Sequence, residues 1–318
     1  MYQYRKSFAV LFAALTVSAN LFAASASAVS SAKTPPLSKN ILSVTFIDVG
    51  QGDSIFIQTP EGKNILIDAG NGATEWSSFD AGESIVVPFL KKQGIKKLDY
   101  MIMSHPHNDH IGGLPAVLKA MPVDTFVDPG FQYNSWVYEN LLKLVEEKGC
   151  KYVEARAGDK ITLDKYCSFK VFNPPPDKYF RGGSEPNENS LVLKLAYKDI
   201  SFLFTGDCEK QGERYMVKRF KKDLLCTVLK VAHHGSVSSS TQEFMDWAQP
   251  LFAVICVGAR NRFGHPKKAT LKRLTDYGCK IFRTDQDGSV RITTDGKRYK
   301  TELLKKPDSN AVTDEGYE

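Results

Sequence analysis

A chain of 318 residues has room for one large domain or two of ordinary size. Its 42% hydrophobic and 25% charged content matches the globular average, which excludes a mainly disordered chain, a collagen-like chain and a polytopic membrane protein. Lys and Arg outnumber Asp and Glu by 42 to 36, a net +6 that suits anionic partners without demanding them, and the six His all fall in three short stretches.

The chain opens on Arg5 and Lys6, followed by an apolar run over 8–22 that is broken only by Thr16, Ser18 and Asn20. Small residues then recur through Ala23-Ala24-Ser25-Ala26-Ser27-Ala28 at the spacing a signal peptidase reads. The run is short for a span of about 20 residues. A signal peptide over 1–28, cleaved after Ala28, is therefore expected, and with it a secreted, extracytoplasmic protein. No Cys stands at the junction, which argues against lipoprotein processing. Removing Arg5 and Lys6 lowers the net charge from +6 to +4. No later stretch is long and apolar enough to cross a bilayer, so no transmembrane domain is expected after cleavage.

Residues 29–40 are rich in Ser, Lys and Pro and read as a linker. Alternating apolar runs predict strands over 43–49, 54–59 and 64–68, with Gly50-Gln51-Gly52-Asp53 and Pro60-Glu61-Gly62-Lys63 as turns. A helix is expected over 84–92, a strand over 100–103, and helices over 111–120 and 136–148, the last stopped by Gly149. Strands over 168–173 and 191–197 flank a long loop, 174–189, rich in Pro, Gly and charge. Strands over 200–205 and 227–232 enclose a helix over 211–220, and strands over 252–257, 280–284 and 289–294 complete the set. Strands and helices alternate through both halves, which defines an α/β domain over 41–304, followed by a polar tail over 305–318. The six Cys contain no CxxC pair, which excludes a zinc ribbon; Cys226 and Cys256 sit in apolar runs and read as small buried hydrophobes.

The strand at 100–103 runs into Ser104-His105-Pro106-His107-Asn108-Asp109-His110-Ile111-Gly112-Gly113. His105 and His107 are two apart and project to one side of extended backbone; Asp109 and His110 follow as the chain turns into a helix. Imidazole nitrogens beside a carboxylate suit zinc, and manganese or iron less well. The remaining His support the same site. His233-His234-Gly235-Ser236 ends one strand, and His265 lies in the loop after another. Asp68 and Asp207 also end strands, where open α/β sheets gather their sites.

The order of these motifs resembles the metallo-β-lactamase superfamily of metal-dependent hydrolases, and within it the soluble hydrolase domain of ComEC-type competence proteins. The stretches that carry the resemblance include Val49-Gly50-Gln51-Gly52-Asp53, His105 to His110, Asn189-Ser190, Thr205-Gly206-Asp207, His233-His234-Gly235-Ser236 and Gly264-His265-Pro266. The resemblance implies a single-domain, four-layer αβ/βα sandwich with two divalent metal ions, zinc or alternatively manganese, at the shared edge of two sheets. His105 and His107 would bind the first ion, Asp109 and His110 the second, with Asp207 bridging and either His233 or His234 completing the second. Asp68 would orient a ligand or the bridging water, and Asp109, Asp68 and His265 would serve the reaction. One departure stands out: a further His usually lies between the HxHxDH run and the bridging Asp, and here Asn189-Ser190 occupies that region instead.

Two cations about 3.5–4 Å apart can acidify a shared water and clamp a displacement at phosphorus. The expected activity is accordingly that of an exported phosphodiesterase or nuclease acting on DNA or another extracellular phosphodiester polymer. Asn189, Ser190, Ser236, Arg260 and Arg262 are the candidate substrate contacts, and Tyr179, Phe180 and Phe263 could stack bases. The alternatives are a non-catalytic protein that binds DNA or a wall polymer with a weakened metal site, and a lactonase or β-lactamase. The multi-span channel of the competence proteins has no counterpart in this sequence.

Overall fold

A computed structural model describes residues 40–304. The expected signal peptide, all but the end of the linker, and the tail lie outside the described residues.

The chain first lays down an antiparallel meander, β1 (Leu42–Phe46), β2 (Ile55–Gln58) and β3 (Asn64–Ile67). Three parallel strands extend it: β4 (Leu98–Ile102), β5 (Val123–Asp128) and β6 (Lys151–Glu154). The second sheet repeats this plan. β7 (Lys160–Thr162), β8 (Ser168–Asn173), β9 (Val192–Tyr197) and β10 (Ile200–Phe204) are antiparallel. β11 (Val228–Lys230), β12 (Phe252–Ile255) and β13 (Lys280–Arg283) then add in parallel. The chain finally returns to β1 through β14 (Ser289–Thr294) and β15 (Tyr299–Leu304). The result is an eight-stranded sheet ordered β15-β14-β1-β2-β3-β4-β5-β6 and a seven-stranded sheet ordered β13-β12-β11-β10-β9-β8-β7.

The period-2 pattern of the strands sorts their side chains between layers. Val44, Phe46, Ile55, Ile57, Ile65 and Ile67 face a central core shared with Leu193, Leu195, Phe202 and Phe204 of the other sheet. The intervening Phe56 and Leu66 turn outward into a second core with Val117, Leu118, Leu141 and Val145 of the helices on that side. Leu203 and Leu229 do the same for the second sheet, against Met216, Phe244 and Leu274. Each such side chain contributes about 1.5–3 kcal/mol when fully buried. Helices thus cover both outer faces, giving the expected four layers.

The helix expected over 111–120 forms as a short turn, Asn108–Ile111, and a separate helix, Leu114–Ala120. A Cβ on Gly112 would collide with the backbone nitrogen of Gly72, so the glycine lets the histidine loop lie directly on the loop after β3. Pro115, in the first turn of the second helix, gives up no intrahelical hydrogen bond there. All six Cys are free and none forms a disulfide; Cys226 and Cys256 are buried in apolar cores. No helix among the described residues is long and apolar enough to cross a membrane.

Candidate metal centre

The carboxyl ends of β3, β4, β10 and β11 meet along one edge, and each delivers part of the site. Just past β3, Asp68 adopts a left-handed backbone, φ 56, that turns its carboxylate under β4. Ser104 donates to it twice, from its backbone N–H (2.8 Å) and its Oγ (2.6 Å), and His110 Nδ1 lies 2.8 Å from Oδ2. The imidazole of His110 is thereby locked with Nε2 aimed at Asp207 Oδ2, 3.3 Å away. His234 is fixed in the same manner. Its Nδ1 stands 2.8 Å from the carbonyl oxygen of Cys256, which can only accept, so in the neutral ring Nε2 carries the lone pair. That nitrogen points to Asp109 Oδ2 at 3.2 Å and Asp207 Oδ2 at 3.5 Å.

Ligand atoms of Asp109, His110, Asp207 and His234 all lie within 4.8 Å of one another. Of the two candidates, His234 joins this group and His233 does not. His233 and His234 both hold left-handed backbone, φ 50 and 51. For non-glycine residues that conformation costs roughly 1–2 kcal/mol each and directs the two rings apart. His233 instead pairs through Nδ1 with Glu209 Oε1 at 2.8 Å, leaving Nε2 3.9 Å from Asp207 Oδ2 at the rim. On the other side His105 Nε2 lies 3.0 Å from His107 Nδ1 and 3.9 Å from Asp207 Oδ2. Asp207 therefore stands among four imidazoles, as a bridging carboxylate would.

Two residues that sequence reasoning missed complete the floor. Lys230, on β11, is fully buried; its Nζ pairs with Asp53, lies 3.6 Å from Asp207 Oδ1 and donates to the Gly206 carbonyl at 2.9 Å. Asp53, also buried, brings Oδ1 to 3.5 Å from His234 Nδ1, and with Asp68 and His110 it forms a second close group of ligand atoms. Burial raises the pKa of Asp207, but His234, His110 and Lys230 outweigh it and hold the carboxyl well below the usual range. Burial opposes the charge on Lys230 too, and Asp53 and Asp207 raise its pKa above the ordinary value.

The donor set fits divalent metal ions on chemical grounds. Asp53, Asp68, Asp109 and Asp207 bring four carboxylates against one ammonium, Lys230, in a largely buried volume. His110 Nε2 and Asp207 Oδ1 are buried there without a hydrogen-bond partner. Such groups are stable when a cation supplies the missing contacts.

Two expected substrate contacts are corrected. Asn189 is fully buried and its amide is spent: Oδ1 accepts from Phe180 N–H (2.9 Å), and Nδ2 donates to the Phe180 (3.1 Å) and Glu185 (2.8 Å) carbonyls. It clamps the 174–189 loop, and both ends of the amide are engaged with backbone. Ser190 is equally buried, and its Oγ accepts from the backbone N–H of Asp207 at 3.2 Å. Ser236 lies in the turn after His234, its Oγ 2.9 Å from that of Ser238. His265 is at the rim, edge-on to His233 with ring centroids 5.6 Å apart. Burial, then the imidazoles of His233 and His234, hold its pKa down at about 4. Phe263 stacks on His265 at 5.7 Å and Arg262 lies over Phe263 at 5.0 Å; Arg260 is exposed on the same loop.

Fold and site together define a domain of the metallo-β-lactamase fold with a cluster of candidate metal ligands, and residues 47–147 match the family model described as Metallo-beta-lactamase superfamily. The chain also has competence-protein homologues. It is 35% identical over 271 residues to ComE operon protein 3 of Bacillus subtilis (strain 168), covering 82% of this chain and 33% of that protein. It is 29% identical to Competence protein ComA of Neisseria gonorrhoeae, covering 80% and 32% of the two chains. Recombination protein 2 of Haemophilus influenzae is 28% identical, with coverage of 80% and 29%. The chain thus spans about a third of the length of these curated relatives. CmlA, a diiron beta-hydroxylase from Streptomyces venezuelae, shares the fold, with a TM-score of 0.52 and 12% identity over 85% of this chain and 55% of its own.

Proposed function

We propose that this chain is an exported, metal-dependent phosphodiesterase that cleaves nucleic acid. The observation that carries the reading is Asp207, a buried carboxylate with His105, His110, His233 and His234 ranged around it on one open edge. Asp109, His110 and His234 would hold one cation and His105 and His107 a second, with Asp207 between; zinc is the first choice for these donors and manganese the next. Bound divalent ions supply an acidified water and charge stabilisation at phosphorus. The chain's own groups do the rest. Asp68 and the Cys256 carbonyl hold their imidazoles in the one tautomer that leaves Nε2 free. Glu209 holds His233 at the rim, where an imidazolium with Nδ1–H on Glu209 could give its Nε2 proton to a departing oxygen and return to the neutral ring. The competence and recombination names of the relatives support nucleic acid as the substrate. Export rests on Arg5, Lys6, the apolar run and the small residues ending at Ala28.

The test is hydrolysis of bis-p-nitrophenyl phosphate and of single- and double-stranded DNA by the zinc- or manganese-loaded full chain. Cleavage that is lost in Asp109→Ala supports the reading. Intact esters and DNA with loaded protein would overturn it in favour of a binding protein, a reading favoured by the absence of a third imidazole on the His105 side. Cell fractionation tests export, and an unprocessed cytosolic chain would refute it.

A further inference from the structure

Beside the metal centre lies a second concavity. A cavity of about 300 Å3 is lined by Gly130, Phe131, Gln132, Arg156, Tyr179 and Arg181, at the small end of the range for ligand sites. Both of its walls are fastened to the metal centre. Tyr133, which follows Gln132, packs edge-on against His107 with ring centroids 5.8 Å apart. Opposite, Asn189 clamps Phe180 through both backbone groups, and the next residue, Ser190, holds the backbone of Asp207. Tyr179 closes the corner by donating from its hydroxyl to the Pro129 carbonyl at 3.1 Å.

The chemistry of the cavity suits a flat ring better than a phosphate. The Arg156 guanidinium lies 3.9 Å over the Tyr179 ring, and Phe131 meets that ring edge-on at 5.2 Å. Both guanidinium groups are already neutralised, Arg156 by Glu154 at 2.6 Å and Arg181 by Glu185 at 3.2 Å. No net positive charge is left to draw an anion. What remains is a guanidinium over an aromatic ring and, on exposed Gln132, an amide that donates and accepts in one plane. A guanidinium plane on an aromatic ring with an amide at its edge is the equipment that reads an unpaired base.

We propose that this cavity is a nucleobase subsite, holding a base of a nucleic-acid strand whose backbone crosses the metal centre; the placing of the strand rests on the phosphodiesterase reading, whereas the base preference does not. The test is fluorescence anisotropy of the zinc-loaded full chain with a labelled single-stranded octanucleotide and an abasic strand of equal length and charge. The base-bearing strand is expected to bind more tightly. Tyr179→Ala should weaken it about tenfold and leave the abasic strand unmoved. Tyr179→Phe, which keeps the ring, should behave as the wild type. Gln132→Ala, a change at an exposed side chain that threatens no packing, should weaken the base-bearing strand several-fold. Equal binding of both strands by the wild type, as a site for a base-less polymer would give, overturns the proposal, as does a Gln132→Ala variant with undiminished preference. If the base preference is present but no phosphodiester is cleaved, the phosphodiesterase reading fails and the subsite stands; cleavage without preference has the opposite meaning.

Discussion

Lys230 offers the sharpest check on how the site is held. It is a lysine with no solvent contact, and its neighbours are Asp53, Asp207 and the Gly206 carbonyl. In Lys230→Met the methylene stem is kept and only the charge goes. Asp53 then remains buried without its cation, and Asp207 loses a positive group at 3.6 Å. Breaking a buried pair from one side costs about 3–5 kcal/mol, because the abandoned charge keeps its desolvation penalty. With an m-value of about 2–3 kcal/mol per molar urea, the unfolding midpoint of the metal-free protein should fall by more than about 1 M. Removing the partner as well should undo most of this. The double variant Lys230→Met/Asp53→Leu replaces the pair by apolar side chains, an exchange that is often neutral. The two changes are in contact, so a double-mutant cycle should return a coupling of at least about 1–3 kcal/mol. A wild-type midpoint for Lys230→Met, or losses that simply add, would refute the idea that Lys230 is the counter-ion of this cluster.

Other expectations follow from the same geometry. Gly52 has φ +131, and a Cβ there would collide with the backbone carbonyl oxygen of Asp109; Gly52→Ala, which touches no ligand side chain, should lower bound zinc measured by elemental analysis, and full occupancy would count against the packing argument. Asn189→Ala removes three hydrogen bonds inside a buried clamp and should cost about 1–3 kcal/mol in thermal unfolding while bound metal is unchanged; metal loss at unchanged stability would make Asn189 a ligand after all. Glu213 is fully buried, and burial lifts its pKa from 4.5 to about 7 despite hydrogen bonds from Ser240 and Thr241. The unfolded chain releases this proton first, so Glu213 favours the fold below about pH 4.5 and that contribution, up to ~3 kcal/mol, is lost as pH rises to 7. Urea midpoints at pH 5 and pH 8 should therefore differ less in Glu213→Gln than in the wild type, and equal differences would remove the assignment. Zinc titration of metal-free protein should show a tight class on Asp109, His110, Asp207 and His234 and a weaker one on the His105 side; one uniform class would contradict the asymmetry seen here.

Much of the sandwich was legible from strand patterns. Phe202-Leu203-Phe204 is apolar on both faces and reads as an interior strand, and Ser43-Val44-Thr45-Phe46 shows the period-2 alternation of a strand with one apolar face. β6, β7 and β15 are missed because these edge strands carry exposed Lys, Glu and Thr, and their composition resembles a loop. The edge strand β13 is nevertheless legible, whereas the interior β5 is missed because Asp124, Thr125 and Asp128 interrupt its apolar residues. The helix Lys268–Asp276 escaped for a related reason, since it buries only Thr270 and Leu274. In the site, His105 to His110 was readable because its ligands are contiguous. Asp53 was read as a turn residue because it follows two glycines, and nothing local reports that the turn folds inward. Lys230 did carry a signal: a lone Lys inside the run Val228-Leu229-Lys230-Val231-Ala232 can be buried only beside a carboxylate. Asn189 and Ser190 misled because polar side chains ahead of a strand look alike whether they face a ligand or their own backbone.

The balance of charge explains why the site has this composition. Three of the four carboxylates, Asp53, Asp68 and Asp207, are buried, and only one fixed cation, Lys230, is buried with them. Two kinds of partner can offset the remainder: protons on the imidazoles, or divalent ions between them. In the metal-free protein each ring has an acceptor at both nitrogens: His234 has the Cys256 carbonyl at Nδ1 and Asp109 Oδ2 3.2 Å from Nε2, and His110 has Asp68 at Nδ1 and Asp207 Oδ2 3.3 Å from Nε2. Divalent ions would take the place of those protons on the Nε2 atoms. Each ring is thus held from behind, and the Nε2 atoms converge on the Asp207 carboxylate. Lys230 has a different part in this scheme. It pairs with Asp53 and so leaves Asp109 and Asp207 as the anionic groups facing an incoming cation. A sequence that placed a second lysine there would saturate the cluster by itself, and one that placed none would leave a buried anion uncompensated after the metals had bound.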